Sequence, residues 1–297
     1  MLIIKILKNR NFIFILAFVL GLSIGHLVSW VKHLTLPALA IVMVVSLTQI
    51  PIRSFLPLKS MIKPVLLTII LNYFVFSLVM LTMAWFIIPE KELWIGFVII
   101  AMAPPGVAIA PFTSILGGDV KFALAGVIGA YIAALIIIPL AGLVLIGQSF
   151  IQPMRLIIIF TELIIAPIII SQIFIKVKVD KYILRFKGVI VNWGLFVVIF
   201  AVIGLNRNVF FSEPLTLARI SLICFVSVVG LGLLYEFLTR RSKIDPGIML
   251  LGIMKNGGFA SATALALFGD RASLPGAVLS VFLVIFLLYL SFRARKK

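Results

Sequence analysis

Between Asn11 and Phe292 the chain is a succession of apolar runs, each about as long as the ~20 residues an α-helix needs to cross a hydrocarbon layer ~30 Å thick. Inside lipid every backbone N–H and C=O must find a partner within the chain, so such runs cross as helices. They are too long and too evenly apolar for the strands of a barrel. The sequence predicts ten spans, at residues 11–31, 34–52, 64–88, 93–116, 120–147, 153–176, 188–205, 214–238, 246–268 and 273–292. With 63% of residues hydrophobic and 12% charged, the chain lacks the polar surface to cover a water-soluble globule. Lys5, Lys8 and Arg10 ahead of the first run imitate a secretory signal. That run is long enough to span and no small-residue cleavage site closes it, so it reads as an uncleaved first helix.

The 26 Lys+Arg against 9 Asp+Glu could suggest nucleic acid, but the cations gather in short loops between spans, where they set orientation in a bilayer. The expected partner is therefore lipid, with no nucleic acid. A cytoplasmic N-terminus puts 19 cations inside, among them Arg53, Lys59, Lys63, Lys176, Lys178, Lys181, Arg240, Arg241, Lys243, Arg295, Lys296 and Lys297. Six fall outside: Lys32, Lys91, Arg155, Arg207, Arg219 and Arg271. Both termini are predicted cytoplasmic, in a bacterial inner (cytoplasmic) membrane. Cys224, the single cysteine, lies inside a span and reads as a small buried hydrophobe. The one cation left unassigned is Lys255.

"LGGDVKFALAGV" at 116–127 and "LFGDRASLPGAV" at 267–278 share a scarce Gly-Asp pair at an offset of 151 residues. That offset divides the chain into five-helix repeats, 1–151 and 152–297. With an odd number of spans in each, the second enters the membrane from the opposite side, an inverted repeat found chiefly in transporters. Asp119 and Asp270 begin spans five and ten, where a carboxylate caps a helix start and faces the positive end of its dipole.

The most irregular part of each half precedes its Gly-Asp pair. At the same offset, Pro104-Pro105-Gly106 falls on Lys255-Asn256-Gly257, followed by Gly258. Consecutive prolines remove backbone donors and adjacent glycines relax a helix, so spans four and nine should both break here. At ~1.5 Å per residue both breaks lie near the middle of the layer, where freed carbonyls and half-helix ends would converge on a binding site. A lysine at that depth costs roughly 3 kcal/mol, so it needs a partner, water or a task. Glu162 in "FTELIIAP", also near mid-depth, is the available carboxylate, able to pair with Lys255 or to carry a proton. Thr113 and Thr263 lie one or two turns beyond the breaks. Asn72, Gln49, Gln172 and Asn192 read as interhelical hydrogen-bonding groups.

"APPGVAIAPFTSILGGDVKFALAGV" and "GIMKNGGFASATALALF" resemble spans four and nine of the bile acid:sodium symporter family, within the larger group that also holds auxin efflux carriers and arsenite efflux proteins. The resemblance implies an all-α membrane protein of ten helices, with broken helices four and nine crossing. It also implies a panel domain of helices 1, 2, 6 and 7 and a core domain of helices 3–5 and 8–10. In family members span nine reads like E-x-G-x-Q-N, with Glu and Gln binding sodium; the matching positions here are Leu251 and Lys255, and Asn256 is kept. A Ser-Asn pair expected after the break in span four is Ile109-Ala110. Hard cations need oxygen ligands, so sodium is not expected at these positions, and an ammonium in the vacated place supplies the same charge.

The expectation is a secondary active transporter that moves a small organic anion by alternating access. Its site is Lys255, Asn256, Gly257, Gly258, Pro104, Pro105, Gly106, Thr113, Thr263 and Glu162, with no cofactor and no bound metal. Coupling would be to protons, or transport would be facilitative; a sodium-coupled symporter is the alternative. A channel remains open as a third class. An intramembrane enzyme is disfavoured, since no paired catalytic carboxylates, His-rich metal set, G-x-G-D or H-E-x-x-H occurs.

Overall fold

The computed structural model describes residues 9–48, 59–106, 108–147, 158, 159, 161–241 and 244–294. Gln49, Lys5, Lys8, Arg53, Arg155, Lys243, Arg295, Lys296 and Lys297, all invoked above, lie outside the described residues, as do the end of the second expected span and the start of the sixth. The described chain is helical apart from turns and one isolated bridge between Pro105 and Lys255. Among the described residues six helices are long and apolar enough to cross a membrane: Val28–Leu47, Lys59–Ile87, Val120–Leu145, Asp180–Leu205, Pro214–Leu238 and Asp270–Arg293. The first expected span passes from α-helix into a 3-10 segment, and the fourth and ninth are interrupted.

In chain order, α1 (Arg10–Ile24) leads through a 3-10 segment (Gly25–Leu34) to α2 (Thr35–Leu47), followed by α3 (Lys59–Ile87), α4 (Lys91–Met102), α5 (Ile109–Ile115) and α6 (Val120–Leu145). Then come α7 (Ala166–Lys176), α8 (Asp180–Leu205), the short α9 (Arg207–Ser212), α10 (Pro214–Leu238), α11 (Pro246–Ile253), α12 (Gly257–Phe268) and α13 (Asp270–Ala294).

The α1–α2 hairpin lies along α8. A Cβ on Gly25 would stand 2.6 Å from Gly204 Cα, so the backbones touch there, while Gly194 faces Val42 on α2, the returning helix of the hairpin. Only small residues permit such an approach, which is how helices associate where no hydrophobic drive separates protein from lipid. Helix α7 packs on α2, whereas α3, α4, α6, α10, α12 and α13 pack among themselves and meet α8 through α12 and α13. One continuous core, with Phe76, Phe97, Tyr131, Phe259 and Phe286 buried, runs through the contact.

Each expected break is present. Helix α4 stops at Met102 and α5 starts at Ile109; α11 stops at Ile253 and α12 starts at Gly257. The glycines are a correction. Gly257 and Gly258 do not open the helix but are the first residues of α12, and the break lies before them at Met254–Asn256. Gly257 is needed for close approach: a Cβ there would collide with Ser280 Oγ and come within 3.0 Å of Gly276 O on α13.

The two ends of the bundle are tied differently. At the Lys32 end, Lys32 Nζ bonds Asp270 Oδ1 at 2.7 Å, and Arg271 grips Glu213 with two bonds of 2.8 and 2.9 Å. Asn206, ending α8, donates to Asp270 O at 2.9 Å. At the opposite end Asp119 caps α6 by accepting from Phe122 N, and Asp245 caps α11 and also accepts from Asp119 N at 2.5 Å. Asp119 thus fills its expected capping role, whereas Asp270 spends its carboxylate on Lys32.

Candidate functional site

The two breaks meet and pair. Gly106 N donates to Met254 O at 2.8 Å and Asn256 N donates to Pro104 O at 2.9 Å, forming a two-rung antiparallel ladder with Pro105 opposite Lys255. Proline is tolerated because the Pro105–Lys255 pair exchanges no bonds; the rungs need only a carbonyl from residue 104 and an N–H from residue 106. The offset found in the sequence therefore corresponds to a physical crossing.

Lys255 is 1% exposed. Its ammonium donates to Ala101 O at 2.7 Å and Ala103 O at 3.1 Å, the last carbonyls of α4, and lies 4.5 Å from the centre of the Tyr73 ring. Helix ends leave such carbonyls without intrahelical donors and carry partial negative charge, so a cation is held well there. Two carbonyls and an aromatic face together occupy its three N–H donors. Tyr73 reaches this place from a π-helical stretch, Ile69–Phe76, and its hydroxyl bonds Ala130 O at 2.9 Å. Asn72 on the same stretch donates to Leu251 O at 2.9 Å.

Asn256 is divided between two tasks. Its Oδ1 accepts from Phe259 N at 3.0 Å, capping α12, and its Nδ2 donates to Tyr131 hydroxyl at 3.1 Å. An open pocket lies beside the crossing. Gly106, Lys255, Asn256, Gly257 and Gly258 line it together with Ser280 of α13, while Phe14 of α1 and Leu195 and Ile199 of α8 close the facing wall. Polar groups come from the crossing and apolar bulk from the helices opposite.

Other expected site residues fall elsewhere. Glu162 is exposed on the π-helical stretch Thr161–Ile165, and no ion pair joins it to Lys255 among the described residues. Of the two roles open to Glu162, pairing with Lys255 is not made here: Lys255 takes backbone carbonyls of its own crossing. Thr113 is buried with its hydroxyl turned to Ile109 O, and its methyl lies beside Gly118 and Gly247 at the Asp119 end. Thr263 is buried in α12 with no hydrogen-bond partner, and neither threonine lines the pocket. Tyr73, Tyr131, Ser77 and Ser280 were not anticipated. A tyrosine in mid-span, away from the interfacial belt where tyrosine concentrates, was the available signal for the first two.

The sequence pattern of the Sodium Bile acid symporter family matches residues 36–213, more than half of the chain. The chain belongs to that family. It is accordingly an integral membrane protein and a transporter. A curated relative from Bacillus subtilis (strain 168), described as an uncharacterized sodium-dependent transporter YocS, is 25% identical, over 89% of this chain and 83% of its own length. Where the family resemblance implies acidic and amide ligands, this chain presents apolar side chains: Leu251 and Ile109 are fully buried and Ala110 nearly so. Among the described residues no group of three or more His, Cys, Asp and Glu could hold a metal ion.

Proposed function

We propose that this member is a secondary active transporter of a small organic anion, working by alternating access at the crossing of the two broken helices, and that Lys255 takes the place of a coupling sodium ion. The observation that carries the reading is the seat of the ammonium on two carbonyls of the interrupted α4, a donor set of the kind that binds a hard cation. A tethered cation neutralises those carbonyls permanently, so substrate binding would not depend on dissolved sodium. The N-terminus of α12 beside the pocket adds a partial positive charge suited to an anion. The reading includes ten spans as two inverted repeats, a panel of spans 1, 2, 6 and 7 and a core of spans 3–5 and 8–10, with both termini cytoplasmic. Coupling is to protons, or transport is facilitative.

Proteoliposome uptake of small carboxylates tests it. Uptake should respond to a pH gradient or to substrate alone and be indifferent to sodium, and Lys255→Ala should abolish it. Equal rates in Lys255→Ala and the parent chain would remove the lysine from the mechanism. A second reading, a sodium-coupled organic anion symporter, is favoured by the description of the Bacillus relative as a sodium-dependent transporter. Uptake driven by an inward sodium gradient at constant pH would select it.

A further inference from the structure

Among the described residues the bundle is latched at one end only. The 3-10 turn between α1 and α2 reaches the start of α13 through Lys32 and Asp270, 2.7 Å apart, and Asn206 at the end of α8 holds the carbonyl of the same aspartate. Both ties run from the α1–α2–α8 group to the group that contains the crossing.

The inverted repeat identifies the counterpart. Asp119 begins α6 as Asp270 begins α13, at the offset of 151, and lies at the opposite end of the bundle with the starts of α11 and α8. The counterpart of the α1–α2 turn is the α7–α8 turn, 176–181, which reads "KVKVDK" and exposes Lys176, Lys178 and Lys181. Lys178 sits at the apex with φ 61°, a left-handed conformation that a lysine seldom adopts and that turns the chain sharply there. Asp119 is exposed and makes no ion pair among the described residues.

We infer that the two ends carry alternative latches: Lys32–Asp270 closes one end here, and in the opposite state it opens while Asp119 is captured by Lys178 or Lys181 of the α7–α8 turn. This rests on the alternating-access reading above and adds to it the residues that hold each state. Symmetry supplies the logic, since exchanging the conformations of two inverted halves exchanges the environments of their corresponding aspartates. The Lys32–Asp270 pair is partly solvated, so each latch biases the equilibrium modestly, by about two- to fivefold.

The test uses the full chain in membrane vesicles of both orientations, with Cys224→Ala and the pocket substitution Ser280→Cys, labelled by a membrane-impermeant maleimide. Asp270→Asn should raise labelling from the Lys32 end about two- to fivefold and lower it from the other, and Asp119→Asn should do the reverse. Exchanging the charges, Lys32→Asp with Asp270→Lys, should restore the parent rates, which separates a latch from general damage. Without Ser280→Cys, Asp119→Cys paired with Lys178→Cys or Lys181→Cys should cross-link, and locking Lys32→Cys to Asp270→Cys first should prevent it. If Ser280→Cys labels from both sides yet neither Asp119 pair ever cross-links, the exchange is wrong and alternating access stands. Labelling from one side in every variant overturns both.

Discussion

Replacing Lys255 by methionine asks whether its burial is fully compensated. Moving an ammonium out of water costs several kcal/mol. The bonds to Ala101 O and Ala103 O and the Tyr73 face, as charge-assisted hydrogen bonds of ~1.5–3 kcal/mol and a desolvated cation–π contact of ~2 kcal/mol, are large enough to offset it. In Lys255→Met these terms leave together. Ala101 O keeps Ser77 hydroxyl at 2.9 Å, but Ala103 O loses the lysine and gains nothing, a penalty of ~1–3 kcal/mol. The net expectation is a loss of about 2 kcal/mol, seen as a fall of roughly 4–6 °C in the thermal unfolding midpoint in detergent. Lys255→Gln should fall less, because an amide still donates one bond. The vacated carbonyls of that variant should also admit sodium: at ten times Kd, sodium would raise its stability by about 1.4 kcal/mol, with choline chloride as the ionic-strength control. The parent chain should show no such response. A midpoint that rises in Lys255→Met, or a parent chain stabilised by sodium as much as Lys255→Gln, refutes the idea of a satisfied, tethered cation.

Asn256→Ala removes the cap of α12 and the bond to Tyr131, and should lower the midpoint by the equivalent of ~1–2 kcal/mol, with Asn256→Asp losing less because Phe259 N keeps an acceptor. Gly257→Ala forces its methyl into Ser280 and should reduce folded yield and transport together; adding Ser280→Ala should recover part of both, since Gly276 O at 3.0 Å remains crowded. The bidentate bond from Arg271 lowers the Glu213 pKa, and a carboxylate shifted down in the folded state stabilises it above the ordinary glutamate value of about 4.3. That contribution is fully present above the ordinary value and is lost only as pH falls through the lowered one, so acid unfolding curves of the parent and Arg271→Gln should stay apart above about 4.3 and converge only once pH has passed below the lowered value.

The crossing was legible because its parts are scarce in such a chain: two prolines, a Gly-Gly and a buried lysine at one offset admit few readings. The contacts of Lys255 were not. Its acceptors are the carbonyls of Ala101 and Ala103, which every residue possesses and no side chain advertises. Glu162 attracted the expectation because a carboxylate is visible in sequence. Its distance along its own span placed it at the right depth, but depth says nothing of which way a helix face turns, and that face turns outward.

The sequence by itself determined that the chain lives in lipid, that it is helical, where two spans break and which cation is out of place, because hydrophobicity, proline geometry and the cost of a buried charge act locally. Tertiary structure decided what the charge touches, why Gly257 must be glycine, that Tyr73 and Tyr131 contact Lys255 and Asn256, and which end of the bundle is latched among the described residues. Those depend on the rotation and separation of helices, set by packing between segments that are not neighbours in the sequence.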